Sequence, residues 1–114
     1  MKSKAAIRMT LDSRRYVAVP EEEWVETMAR AAGVALPPYP KRKANGRVPA
    51  MEHGRASIAR EIILRRLDAG WTQGELAKRA GVREETVSRL ESGKHTPQAA
   101  TVAKVEGAFK KAGV

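Results

Sequence analysis

Residues 72–94 read Thr72-Gln73-Gly74-Glu75-Leu76-Ala77-Lys78-Arg79-Ala80-Gly81-Val82-Arg83-Glu84-Glu85-Thr86-Val87-Ser88-Arg89-Leu90-Glu91-Ser92-Gly93-Lys94. Thr72, with Glu75 three residues on, forms a capping box, so a helix starts at Gln73. Gly81 breaks the pattern where a tight turn needs a left-handed backbone, which predicts helices over 73–80 and 84–91. Leu76, Ala80, Val82, Val87 and Leu90 then take the inward positions, and Ala77 is small where two helices crossing at a steep angle must touch.

This is helix-turn-helix spacing, and the outward residues suit DNA. Arg83, Glu84, Glu85, Thr86 and Arg89 lie at the N-terminal end and on the outer face of the second helix, where a helix entering the major groove presents side chains to base edges. An arginine bonds guanine bidentately, and a carboxylate accepts from the cytosine amino group. Gln73 at the start of the first helix and Lys94 after the second are placed for phosphates, with Arg79 as a further candidate. Glu84 and Glu85 also admit a purely structural reading, because negative charge favours a helix N-terminus.

The stretch resembles the lambda-repressor-like, or xenobiotic-response-element, helix-turn-helix family. That family's pattern includes TQ-x-x-LA, a turn Gly, V/I-S-x-L/I-E-x-G-K and then a Pro, and each slot is filled here by residues from Thr72 to Pro97. The resemblance covers about residues 55–110. It implies a compact helical domain, a recognition helix in the major groove of double-stranded DNA and a homodimer on a palindromic operator. It also implies a partly buried ion pair between Arg66 and Glu91 that holds two helices together. Trp71 stands where the family usually has Leu, and is expected to plug the core. Glu106 and Gly107 depart from the usual residues, and the pattern stops before the extra helix that often supplies a dimer contact, so the dimer surface is expected elsewhere.

The helical part runs over residues 53–114, with further helices expected over 55–69 and 98–112 and Val102, Val105 and Phe109 as the core stripe of the last. Before it, residues 34–52 carry Pro37, Pro38, Pro40 and Pro49 with Gly46 and the basic residues Lys41, Arg42, Lys43 and Arg47. That composition sustains neither a helix nor a central strand and reads as a Pro-rich basic linker. Its cations are either an arm for phosphates or the minor groove, or a solvated charge run.

Residues 1–33 read as a β-hairpin and a helix. Ala5 to Leu11 alternates Ile7, Met9 and Leu11 with Arg8 and Thr10; Asp12-Ser13 turns the chain; Tyr16 to Val19 returns. After Pro20, Glu21, Glu22 and Glu23 suit a helix start, and Trp24, Val25, Met28, Ala29 and Ala32 supply the stripe that Gly33 ends. The run Arg15 to Trp24 resembles the N-termini of antitoxin-like regulators of the HigA type. The resemblance implies a module that binds a toxin protein or makes the dimer through Tyr16, Val17, Val19, Trp24 and Met28; a small accessory fold that only stabilises a dimer is the alternative. The fold class expected is thus mainly α, a lambda-repressor-like helix-turn-helix domain preceded by a small β-hairpin plus helix.

Composition sets the outer bounds. The chain has 114 residues with 22 Lys and Arg against 13 Asp and Glu, a net charge of +9 that favours polyanions. Both parts share it, with ten cations against six anions up to residue 53 and twelve against seven beyond. Hydrophobic residues make up 42%, but 19 of them are alanine, so any core is small. The absence of cysteine excludes disulfides, thiolate metal sites and cysteine nucleophiles. His53 and His95 are isolated, so no metal or other cofactor is assigned, and no Ser-His-Asp set or phosphate loop points to an enzyme. Neither a membrane-length apolar run nor a signal-peptide pattern is present, which leads to an expectation of a cytoplasmic protein with no membrane partner.

Overall fold

The computed structural model describes residues 7–114, so Ala5 and Ala6 of the expected first strand lie outside the described residues. The fold is mainly helical and divides after Val34 into two units.

The first unit holds β1 (Ile7–Leu11), β2 (Arg14–Ala18) and α1 (Glu21–Ala32). The strands are antiparallel and joined by Asp12 and Ser13, whose φ of 49° and 63° place both in the left-handed region, as a two-residue hairpin turn requires. The register sets Met9 opposite Tyr16 and Ile7 opposite Ala18 on one face, and Arg8 opposite Val17 on the other. Helix α1 follows Pro20, carries three glutamates in its first turn and ends at Gly33, whose amide donates to the Arg30 carbonyl at 3.2 Å. Val25 and Ala29 are buried in it.

The second unit contains α2 (Ala50–Asp68), α3 (Gln73–Ala80), α4 (Glu84–Ser92) and α5 (Ala99–Lys111). Helix α2 begins five residues before the expected start at 55. Pro49 occupies its N-cap, a place where a missing amide proton costs little, and Gly54 is carried within the helix at a cost of about 1 kcal/mol. Ile62, Leu76, Ala77, Val87, Val105, Ala108 and Phe109 form the core, with Trp71, Ala80, Val82 and Leu90 packed against it. Trp71 stacks on Phe109 at 5.6 Å and 3° between planes, and the guanidinium groups of Arg79 and Arg65 lie 4.4 Å from the outer faces of Trp71 and Phe109 respectively. Arg79 also pairs with Glu75, and Arg65 with Glu106, so each cation is held over its ring.

Residues 35–49 contain neither helix nor strand, yet they count with the helical unit. Pro37 is buried and its carbonyl accepts from Arg60 Nη1 at 3.1 Å. Tyr39 stacks on His53 at 4.7 Å and lies under the Arg60 guanidinium at the same distance. Pro37 Cβ stands 3.0 Å from where a Cβ on Gly93 would be, and Gly93 has a φ of 68°. Only glycine suits that position on both counts. Residues 35–49 are thus a strap packed on α2 and the end of α4, and residues 50–52 are the first turn of α2.

Candidate nucleic-acid interface

The capping expected at Thr72 is present: its Oγ1 accepts from the Glu75 amide at 3.1 Å and starts α3. Helix α3 ends at Gly81, in the left-handed region with φ 70°, and its amide and that of Val82 return to Lys78 and Ala77. Arg83 then caps α4 in an extended conformation. The turn is therefore three residues long, and it sets α4 across α3 with Val87 wholly inside.

One end of α4 is locked. Arg66 donates through Nε to Glu91 Oε2 at 2.7 Å and through Nη2 to Oε1 at 2.9 Å, and its Nη1 reaches the Trp71 carbonyl at 2.8 Å. Both residues are 5% exposed, and Gln73 Nε2 adds a bond to Glu91 Oε1 at 3.0 Å. The carboxylate thus accepts three bonds, which is what a buried charge requires. Gln73 stands at the first residue of α3 as expected, but its amide is already given to Glu91.

The opposite face of α4 is open. Arg83, Glu84, Glu85 and Arg89 are exposed, Thr86 is half-buried, and Lys94 is exposed just after Gly93 ends the helix. Two hollows flank α4. One, of about 910 Å³, is lined by Arg83, Glu85, Thr86, Arg89 and Leu90 on one wall and by residues of the segment from His95 to Thr101 on the other. The second, of about 480 Å³, brings together Gln73, Glu84, Glu85, Ser88, Arg89 and Lys94. Gln73, Arg83, Glu84, Glu85, Thr86, Arg89 and Lys94 therefore border one contiguous surface, whereas Arg79, the further phosphate candidate, lines neither hollow. Glu84 leans toward α3: its nearer carboxylate oxygen, Oε2, comes within 3.6 Å of the place a Cβ would take on Gly74, at the positive end of that helix. Ser88, His95, Gln98 and Thr101 also border this surface and were not singled out from the sequence. Ser88 was accessible from periodicity, lying four residues after Glu84, whereas the other three depend on where α5 starts.

In the first unit, Tyr16, Val17 and Trp24 are exposed, at 43%, 60% and 48%, while Val19 and Met28 are half-buried. Among the described residues no group of three or more His, Asp or Glu side chains is placed to hold a metal, and no helix is long and apolar enough to cross a membrane.

A helix-turn-helix family model matches residues 62–112, from the middle of α2 to just past the end of α5. That segment, somewhat less than half of the chain, is similar to helix-turn-helix domains of the lambda-repressor-like kind, which supports a DNA-binding domain of a transcriptional regulator. Neither a curated protein nor a solved structure matches the chain.

Proposed function

We propose that the protein is a sequence-specific transcriptional regulator that acts in the cytoplasm as a homodimer on a palindromic operator, with α4 in the major groove. The observation that carries this reading is the two-sidedness of α4: Val87 and Glu91 are taken up by the domain, while Arg83, Glu85 and Arg89 are left to solvent beside hollows walled by polar side chains. Arg83 and Arg89 read guanine, Glu85 accepts from a cytosine amino group, Thr86 contacts a base edge, and Lys94 neutralises a phosphate. Glu84 excludes wrong bases more than it adds affinity. Gln73 orients a phosphate-facing edge through its bond to Glu91.

The first unit makes the dimer. Its hairpin carries Arg8, Arg14 and Arg15 against Asp12, and its helix carries Glu21, Glu22, Glu23 and Glu26 against Arg30, so two copies related by a two-fold axis meet with complementary charge. In this reading the protein is an autorepressing regulator of the antitoxin type. A second reading assigns the same unit chiefly to binding and neutralising a toxin protein, and the exposure of Ile7, Leu11, Val17 and Trp24 favours it equally.

The test is selection of duplexes from a random pool by the full-length protein, followed by anisotropy titration on the selected site and on the DNA upstream of its own gene. Recovery of a two-fold symmetric site that is also present upstream supports autorepression. Failure to enrich any sequence removes the regulator reading. Co-expression with the products of adjacent genes separates the toxin-binding reading, which requires a stable stoichiometric complex.

A further inference from the structure

The helix-turn-helix match begins at residue 62 and leaves the strap of residues 35–49 without a role. Its centre is a folded turn. The Gly46 amide donates to the Lys43 carbonyl at 2.9 Å, Lys43 N donates to the Arg47 carbonyl at 2.7 Å, and Gly46 has a φ of 82°. Asn45 Oδ1 accepts from Arg47 N at 3.0 Å, and Arg42 Nη1 donates to the Gly46 carbonyl at 2.6 Å. Together they close a short hairpin-like loop with a left-handed glycine.

The loop carries Lys41, Arg42, Lys43 and Arg47, all exposed, and none of the ion pairs among the described residues involves them. No acidic residue occurs between Ala35 and Met51. Elsewhere in the same unit Arg65, Arg66 and Arg79 are each neutralised by a glutamate. Four uncompensated cations on a backbone ordered by its own hydrogen bonds favour a polyanion, and the ordering entropy of the arm is already met before binding.

The loop is also held near the DNA-facing surface. Pro37 packs on Gly93, the C-cap of α4 and the neighbour of Lys94. Lys41 lies four residues after Pro37, a reach of at most about 14 Å. At its other end the strap runs directly into α2 through Pro49, while Arg55 in the second turn of α2 bonds Thr96 at 2.9 Å. The start of the strap and the turn of α2 that follows it are thereby both tied to the Gly93–Thr96 segment that carries Lys94.

We propose that the turn at residues 41–47 is a second phosphate-binding site, which takes the backbone of duplex DNA beyond the end of α4 and lengthens the contact without reading sequence. This rests on the DNA-binding reading of α4.

The experiment compares the full-length parent with a variant carrying Lys41→Gln, Arg42→Gln, Lys43→Gln and Arg47→Gln, and with one that exchanges Lys and Arg at the same four positions. Anisotropy titrations on a selected site and on an unrelated duplex are run from 50 to 200 mM salt, with circular dichroism melts to establish that each chain is folded. The neutral variant is expected to lower the log–log salt slope by roughly 2 to 4 per protomer, so that its deficit changes by roughly 15- to 250-fold for each bound protomer across that salt range. Its preference for the selected site over the unrelated one stays the same, and the charge-retaining variant keeps the parental slope. A parent that binds and a folded neutral variant with an unchanged slope overturn the proposal alone. A parent that binds no duplex overturns the reading of α4 and this extension with it. Loss of binding to phosphatidylglycerol vesicles in the neutral variant, with the DNA slope unchanged, reassigns the turn to a membrane surface and also overturns it.

Discussion

Arg66 of α2 grips both carboxylate oxygens of Glu91 of α4, at 2.7 and 2.9 Å, with no more than 6% of either side chain exposed. The bond joins the long helix to the last turn of α4, two residues from Arg89, and so sets the angle at which α4 leaves the domain. Removing only one partner strands a charge in a low-dielectric place. Arg66→Ala is expected to lose about 3 to 5 kcal/mol in chemical denaturation, whereas Arg66→Met combined with Glu91→Leu loses far less or gains. A coupling energy near zero in the double-mutant cycle means that the pair does not hold the helices.

The α3–turn–α4 segment was legible because its signals are local: a capping box, a left-handed glycine and a 3.6-residue stripe, each within a few residues. The hairpin was legible from alternation and from Asp12-Ser13. The Arg66–Glu91 pair was not readable from spacing alone, since 25 residues separate the two, and was named only through a family resemblance. The strap was the least legible part. Its prolines rule out helix and central strand but do not say whether the chain packs, and that depends on Gly93, Arg60 and His53 far along the sequence. From the sequence Arg79 is a candidate phosphate contact, yet it lies over Trp71 and bonds Glu75, a placement that requires knowing where Trp71 faces.

Arg83→Ala and Arg89→Ala are each expected to weaken binding at the selected site by about 1 to 3 kcal/mol. Both side chains are exposed, so melting temperatures should stay within a degree or two of the parent. Val87 is fully buried in the core, and Val87→Ala should instead destabilise the domain by about 2 kcal/mol. Arginine variants that keep full affinity and sequence preference remove α4 as the reading helix.

Arg79→Ala is expected to change DNA affinity by less than about twofold, because its guanidinium is engaged within the domain by Trp71 and Glu75. Lys94→Ala should lower the log–log salt slope by about 1 per protomer while leaving stability unchanged. The reverse ranking in anisotropy titrations places the phosphate path along α3 instead of the end of α4.

Gly107 lies within α5, is exposed, and has nothing within 4 Å of the place a Cβ would take. Its backbone is helical, so a side chain meets no strain, and Gly107→Ala is expected to stabilise the domain by about 0.5 to 1 kcal/mol. For a unit of this size that is a rise of roughly 3 to 6 °C in the thermal melt. A lower melting temperature reveals that another chain packs closely on that face of α5.

Unit one sets the last test. Ile7, Leu11, Val17 and Trp24 are each about half exposed or more, and a two-stranded hairpin is at best marginal in water without a further layer. Under the dimer reading a second copy supplies that layer, with its acidic α1 near the basic strands. A chain beginning at Ala35 keeps the whole helical unit and its core, so it is expected to fold. By sedimentation it should be a monomer where the full-length chain is a dimer. Its affinity for the selected site should fall by at least tenfold, because two half-sites no longer bind as one. Trp24→Ser in the full-length chain should shift the dimer toward monomer and leave the melt of the helical unit in place. If the shortened chain remains dimeric and binds with unchanged affinity, the dimer contact lies on the helical unit, and the apolar residues of the hairpin are left to a different protein.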